Sequence, residues 1–105
     1  MFGRVCAGNL RPVRVRLVFV IGDVDDPVPA EGQVLVDIKA AGINFPDLLV
    51  IAGKYQVKTP PPFIPGSEAS GVISSVGKGV TRFAPGDRVI LTPALGGFAE
   101  KCGVP

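Results

Sequence analysis

A chain of 105 residues and 10.9 kDa can bury one modest core but cannot hold two layered domains, so a single domain spanning residues 1–105 is expected. Hydrophobic residues at 47%, charged residues at 19% and a mean hydropathy of +0.41 exclude a disordered chain, and they suit either a well-filled β core or a face that packs on a partner. A net charge of +2 without a clustered basic face gives no footing for nucleic acid, and the absence of histidine removes histidine-based triads and histidine-ligated catalytic zinc.

Arg4, Arg11, Arg14 and Arg16 all precede the first acid, Asp23. An arginine-rich, acid-free start is one form of organelle-targeting peptide, but Val13-Arg14-Val15-Arg16-Leu17 alternates with period two, which places the arginines on the solvent face of a strand. The apolar run Leu17 to Ile21 is far too short to cross a bilayer, so no membrane partner is expected. Asp26 to Gly32 is rich in turn residues. Val34 to Lys39 follows as a strand, with Val34, Val36 and Ile38 on one face and Asp37 and Lys39 on the other.

Pro46 suits the first turn of a short helix through Asp47 to Ile51, with Gly53 near its end. The prolines of Thr59 to Gly66 demand extended or turning backbone. Ala69 to Val76 reads as a strand, Gly77-Lys78-Gly79 as a turn, and Pro85-Gly86-Asp87 as a turn feeding the strand Arg88 to Leu91. Gly96 and Gly97 open a last strand through Phe98 to Lys101. The sum is a mainly β fold, a partly open barrel with one or two short helices.

Gly77-Lys78-Gly79 starts like a dinucleotide fingerprint, but Arg82 stands where the third glycine belongs and no helix signal follows. Cys6 and Cys102 are too few for a disulfide framework or a zinc site, and a reduced intracellular protein is the default. Asn44 before Pro46 can cap the helix or serve a site, Asp47 suits the helix's first turn, and Tyr55 is either an exposed loop aromatic or a site donor. Glu68 has Arg88 as a candidate ion-pair partner.

Ala40-Ala41-Gly42-Ile43-Asn44 with Asp47, then Gly53 and Tyr55, Pro62-Phe63-Ile64-Pro65-Gly66-Ser67-Glu68, Val76-Gly77 and Gly86-Asp87-Arg88-Val89 form an ordered set. It resembles the N-terminal, GroES-like catalytic domain of the medium-chain dehydrogenase/reductase superfamily, most closely the zinc-independent quinone oxidoreductase (zeta-crystallin-like) branch. The resemblance covers 33–105 and weakens over 1–32, where Val18 to Ile21 looks like an insertion or an altered first hairpin.

The resemblance implies a GroES-like barrel whose zinc-dependent relatives place a cysteine ligand at Asn44 and a histidine ligand at Ser67. Neutral Asn and Ser hold zinc poorly, so no metal is expected. It implies NADPH as cofactor, with Asn44 and Tyr55 beside the nicotinamide as catalytic and cofactor-binding residues, and Asp47 orienting that segment. The acceptor would be a quinone or a related enone or carbonyl compound. The main cofactor domain, a Rossmann domain, would lie beyond Pro105, leaving this portion with little activity alone. A cytoplasmic location is expected, with mitochondria as the alternative that a targeting peptide would imply, and a homodimer of the full-length enzyme stays open. Two other readings remain: a stand-alone GroES-like binding or co-chaperonin-type module, and a non-catalytic truncated product.

Overall fold

The computed structural model describes residues 2–8, 19–56, 58–60 and 62–105, with side chains from residue 21 onward. Strands β1 (Phe2–Gly8) and β2 (Phe19–Asp25) pair antiparallel as a two-stranded sheet. Strand β3 (Val34–Ala41), helix α1 (Phe45–Ile51) and strands β4 (Ala69–Val76), β5 (Arg88–Leu91) and β6 (Lys101–Val104) follow. The larger sheet has the order β5-β4-β3-β6, antiparallel throughout, so the described residues form a mainly β, open sheet with one helix, as expected.

The alternation in β3 puts Val36 wholly out of solvent and Val34 nearly so, while Asp37 lies at the other face. Leu35 is buried as well, because a register irregularity between Leu35 and Val36 breaks the strict alternation. Val34, Val36, Ala69, Ile73, Leu91 and Cys102 form the core cluster, drawn from all four strands of the sheet. Burial pushes the Cys102 thiol above its ordinary pKa, which keeps it protonated and a poor nucleophile.

Gly71 fixes how closely β3 and β4 meet. A Cβ there would stand 2.0 Å from the Asp37 carbonyl oxygen and 2.8 Å from Val36 Cγ1, so only glycine admits this approach. The turn before β3 and the turn after β4, at one end of the pair, are tied together: Gly32 N–H donates to the Lys78 carbonyl at 2.9 Å and Gly77 N–H to the Gln33 carbonyl at 2.7 Å. Gly77-Lys78-Gly79 is thus a turn, as its sequence indicates, and β5 rather than a helix is the next element.

One expectation changes, one alternative is selected, and one reading falls on residues the structure does not describe. The last strand begins at Lys101 and not at Phe98, because Gly96, Gly97 and Phe98 spend their N–H groups on Ile64, Gly66 and Pro65 at 2.9–3.0 Å. Phe19 to Ile21 belong to β2, so they form part of a first hairpin. The alternating segment 13–17, with Arg14 and Arg16, lies outside the described residues, as does Arg11.

Candidate active site

Helix α1 organises the polar part of the molecule. Its N-cap is Asn44, in extended backbone (φ −118°, ψ 157°), and a proline follows within its first two positions. The Asp47 carboxylate reaches back, its Oδ2 accepting the Asn44 N–H at 2.8 Å, while the Asp47 N–H donates to the Asn44 carbonyl at 3.0 Å. The helix closes at Gly53, whose φ of +65° favours glycine; Gly53 N–H donates to Val50 O and Lys54 N–H to Leu49 O. Lys58 Nζ then donates to the Gly53 carbonyl at 2.7 Å and ties down the loop that carries Tyr55.

Ser67 arrives from the opposite side. Gly66, at φ +104°, turns the chain after Pro65, and a Cβ there would stand 2.6 Å from Phe98 N, so the turn is pressed against the 96–98 segment. The Ser67 hydroxyl donates to Asp47 Oδ1 at 3.2 Å. Both carboxylate oxygens are therefore engaged, and Asp47, at 3% exposure, is the buried charged residue among those described. Asn44 Nδ2 donates to Glu68 Oε2 at 2.9 Å, so Glu68 pairs with Asn44 rather than with Arg88. The Asn44 side-chain nitrogen is committed to this exposed contact, while Asp47, at N3 of the capping box, holds the Asn44 backbone N–H.

These contacts border a cavity of about 360 Å³, a volume suited to a small organic ligand. Asp47, Tyr55, Thr59 and Ser67 supply its polar lining; Pro46 and Val50 from the α1 turns and Ala94 and Leu95 from the loop after β5 supply the apolar part. Asp47 and Tyr55, both singled out from sequence, line it together, whereas Asn44 is not in the lining and is linked to it through Asp47. Thr59 as a lining residue and the Ala94-Leu95 wall escaped sequence reading, while Ser67 was marked only as the place of a zinc relative's histidine ligand. The signal for Ser67 lay in Pro65-Gly66 directly before it; Ala94 and Leu95 carried none.

Asn44, Ser67 and Glu68 make a poor zinc site, since an amide and a hydroxyl are weak neutral donors beside one carboxylate. Among the described residues no group of three or more His, Cys, Asp or Glu is arranged to hold a metal. No helix among them is long and apolar enough to cross a membrane. A second, larger cavity of about 770 Å³ shares the Ala94-Leu95 segment but is lined mainly by Val34, Ile73, Phe83, Ile90 and Leu91. Its walls offer no convergent polar side chains.

Fold and site together define a mainly β domain with a polar-edged cavity beside its helix. The sequence profile of the alcohol dehydrogenase GroES-like domain matches residues 30–104, and the chain belongs to that family. It is 42% identical over 79 residues to the quinone oxidoreductase of Lama guanicoe, covering 74% of this chain and 24% of the relative. It is also 40% identical over 92 residues to an alcohol dehydrogenase of Moraxella sp. (strain TAE123), covering 78% of this chain and 27% of that one. The crystal structure of a probable oxidoreductase from Mycobacterium abscessus superposes with a TM-score of 0.82 at 38% identity, over 97% of this chain and 32% of the other. The chain thus spans about a quarter to a third of the length of these relatives.

Proposed function

We propose that this chain is the catalytic-domain portion of an NADPH-dependent, zinc-independent oxidoreductase that passes hydride to a quinone or a related enone or carbonyl acceptor. The observation that carries the reading is the cavity in which Tyr55 and Ser67 meet beside the buried Asp47. NADPH, when bound, supplies the hydride; the chain's own residues must hold the acceptor and meet the charge that develops on its oxygen. Tyr55, at the cavity wall and 36% exposed, offers its hydroxyl as that donor. Pro46, Val50 and Leu95 exclude water from one side of the acceptor.

Asn44 acts in this reading through position. Its amide fixes Glu68 and its backbone N–H fixes Asp47, so the α1 entry and the Gly66-Ser67 turn keep a constant separation. Residues 1–105 form one GroES-like domain, atypical over 1–32, and a Rossmann domain following Pro105 completes the cofactor site. The full-length enzyme acts in the cytoplasm, as a homodimer. A co-chaperonin-type ring gives the network of Asn44, Asp47, Ser67 and Glu68 no task.

The test is to mix the chain with NADPH and a simple quinone and follow cofactor absorbance, alone and joined to the coding sequence downstream of Pro105. Little turnover alone and efficient turnover in the longer protein are expected. Efficient turnover by the 105 residues alone overturns the division of the site, and no turnover by the longer protein overturns the activity.

A further inference from the structure

We propose that Thr59 is a second hydrogen-bond donor beside Tyr55, so that the two hydroxyls together hold one carbonyl oxygen of the acceptor and fix which way it enters the cavity. The proposal rests on the reading of this cavity as the acceptor site and adds the residue that completes the surroundings of the acceptor's oxygen.

Three hydroxyl-bearing residues line the cavity: Tyr55, Thr59 and Ser67. Ser67 has one proton, and that proton is directed to Asp47 Oδ1 at 3.2 Å. Asp47 is 3% exposed, so turning the serine proton elsewhere would leave a buried carboxylate oxygen without its donor. Tyr55 and Thr59 carry no such commitment. Among the described residues neither hydroxyl has a hydrogen-bond partner, so both protons are available to a ligand.

Charge decides where the ligand's oxygen goes. The Asp47 carboxylate lines the same cavity, and the lining contains no lysine or arginine among the described residues. Lys58, next to Thr59, spends its ammonium on the Gly53 carbonyl at 2.7 Å. An acceptor oxygen that gains negative charge is repelled by Asp47 and by the lone pairs of Ser67, and it is drawn to the protons of Tyr55 and Thr59. A carbonyl oxygen has two lone pairs and takes both donors at once.

The backbone keeps Thr59 in place. Pro60 follows it and disfavours the α region at residue 59, and the Lys58 bond to Gly53 anchors the same loop. A donor held in this way needs little reorganisation when the oxygen arrives.

Cyclohexenone labelled with heavy carbon at its carbonyl tests the proposal in the chain without cofactor. Tyr55 is the chain's one tyrosine and lines the cavity, so its ring resonances in an NMR titration report occupancy at this place. The carbonyl stretch in an infrared difference spectrum reports the donors, because each hydrogen bond to the oxygen lowers its frequency. Thr59→Val, close in shape but without the hydroxyl, is expected to raise the frequency of the bound carbonyl and to weaken binding about fivefold, the size of one neutral hydrogen bond. Thr59→Ala should raise the frequency to the same extent, and Thr59→Ser should restore both frequency and affinity.

A merely structural role for Thr59 would weaken binding without moving the band, and that result overturns the proposal. So does a Thr59→Val chain indistinguishable from the parent. If Ser67→Ala rather than Thr59→Val raises the band, serine is the second donor and the proposal falls while the cavity stays the acceptor site. No Tyr55 response to cyclohexenone in the parent chain overturns the reading of the cavity itself, and the proposal with it. Turnover plays no part in these measurements, so a failed quinone assay is a separate result.

Discussion

The four-stranded sheet and the segment from Gly42 to Ser67 are held by different forces. In the sheet, backbone ladders and a cluster of Val34, Val36, Ile73 and Leu91 do the work, and one close approach at Gly71 sets the spacing. In the 42–67 segment a seven-residue helix, too short to persist on its own, is anchored by side-chain hydrogen bonds from Asp47 and Asn44. Apolar burial is indifferent to direction, whereas hydrogen bonds fix it. The sheet therefore supplies stability and the helical segment supplies orientation, and substitutions in the two regions should fail in different ways.

The sharpest contrast comes from Gly71→Ala. The added methyl would enter the space of a backbone carbonyl that a paired strand cannot move, so a loss of at least about 3 kcal/mol is expected. Urea unfolding checks it, and a variant as stable as the parent would break the account of how β3 and β4 meet.

Asp47→Ala should cost less, about 1–3 kcal/mol, because it leaves the Asn44 N–H and the Ser67 hydroxyl without their acceptor but removes no core aliphatic. Amide hydrogen exchange should show the loss concentrated in α1 while the sheet amides keep their protection. Uniform loss across both regions would erase the distinction between them.

A smaller effect is expected at the sheet's face, where Lys101 Nζ donates to Asp37 Oδ1 at 2.8 Å across the β3–β6 pair. The hydrogen bond from Lys101 holds the Asp37 carboxyl below its ordinary 3.8, and the same bond raises Lys101 above 10.5. A depressed carboxylate stabilises the fold above its unfolded value, so that contribution should be intact above pH 3.8 and vanish as acid is taken below it. The raised ammonium stabilises below 10.5, and its contribution should vanish as the pH climbs beyond that value. Both groups are partly exposed, which limits the effect to below about 1 kcal/mol. Asp37→Asn should flatten the acid limb of a stability-versus-pH curve; an unchanged limb would show the pair contributes nothing.

Tyr55→Phe should have the least effect on stability, within about 0.5 kcal/mol for so exposed a side chain. In the complete enzyme it should nonetheless lower kcat about a hundredfold, as removal of one donor to a developing oxyanion does. A variant that unfolds, or one that keeps full kcat, would move Tyr55 out of the site.

Much of the fold was legible because its signals are local. Pro46 and Gly53 bracket the helix, and the strands at 34–41, 69–76 and 88–91 follow alternation and turn residues within a few positions of themselves. The last strand was misplaced because Phe98 looks like a strand residue until Pro65, far back in the chain, takes its N–H. Asn44 was readable as a cap or a site residue and is the helix N-cap, but that its side-chain nitrogen also donates to Glu68, 24 residues on, could not be read. Ser67 stood out as the place where the resemblance puts a histidine ligand, while its contact with Asp47 across 20 residues could not be read.

By itself the sequence determined the family, the order of elements from β3 onward and the residue types available for chemistry, since these depend on identity and on neighbours a few positions away. Tertiary structure alone decided which way the Ser67 proton points, that Asp47 is buried and that Ala94 and Leu95 close the cavity. The physical reason is range: capping and alternation are settled within a turn or a strand, but the direction of a hydrogen bond belongs to whichever partner the fold brings near.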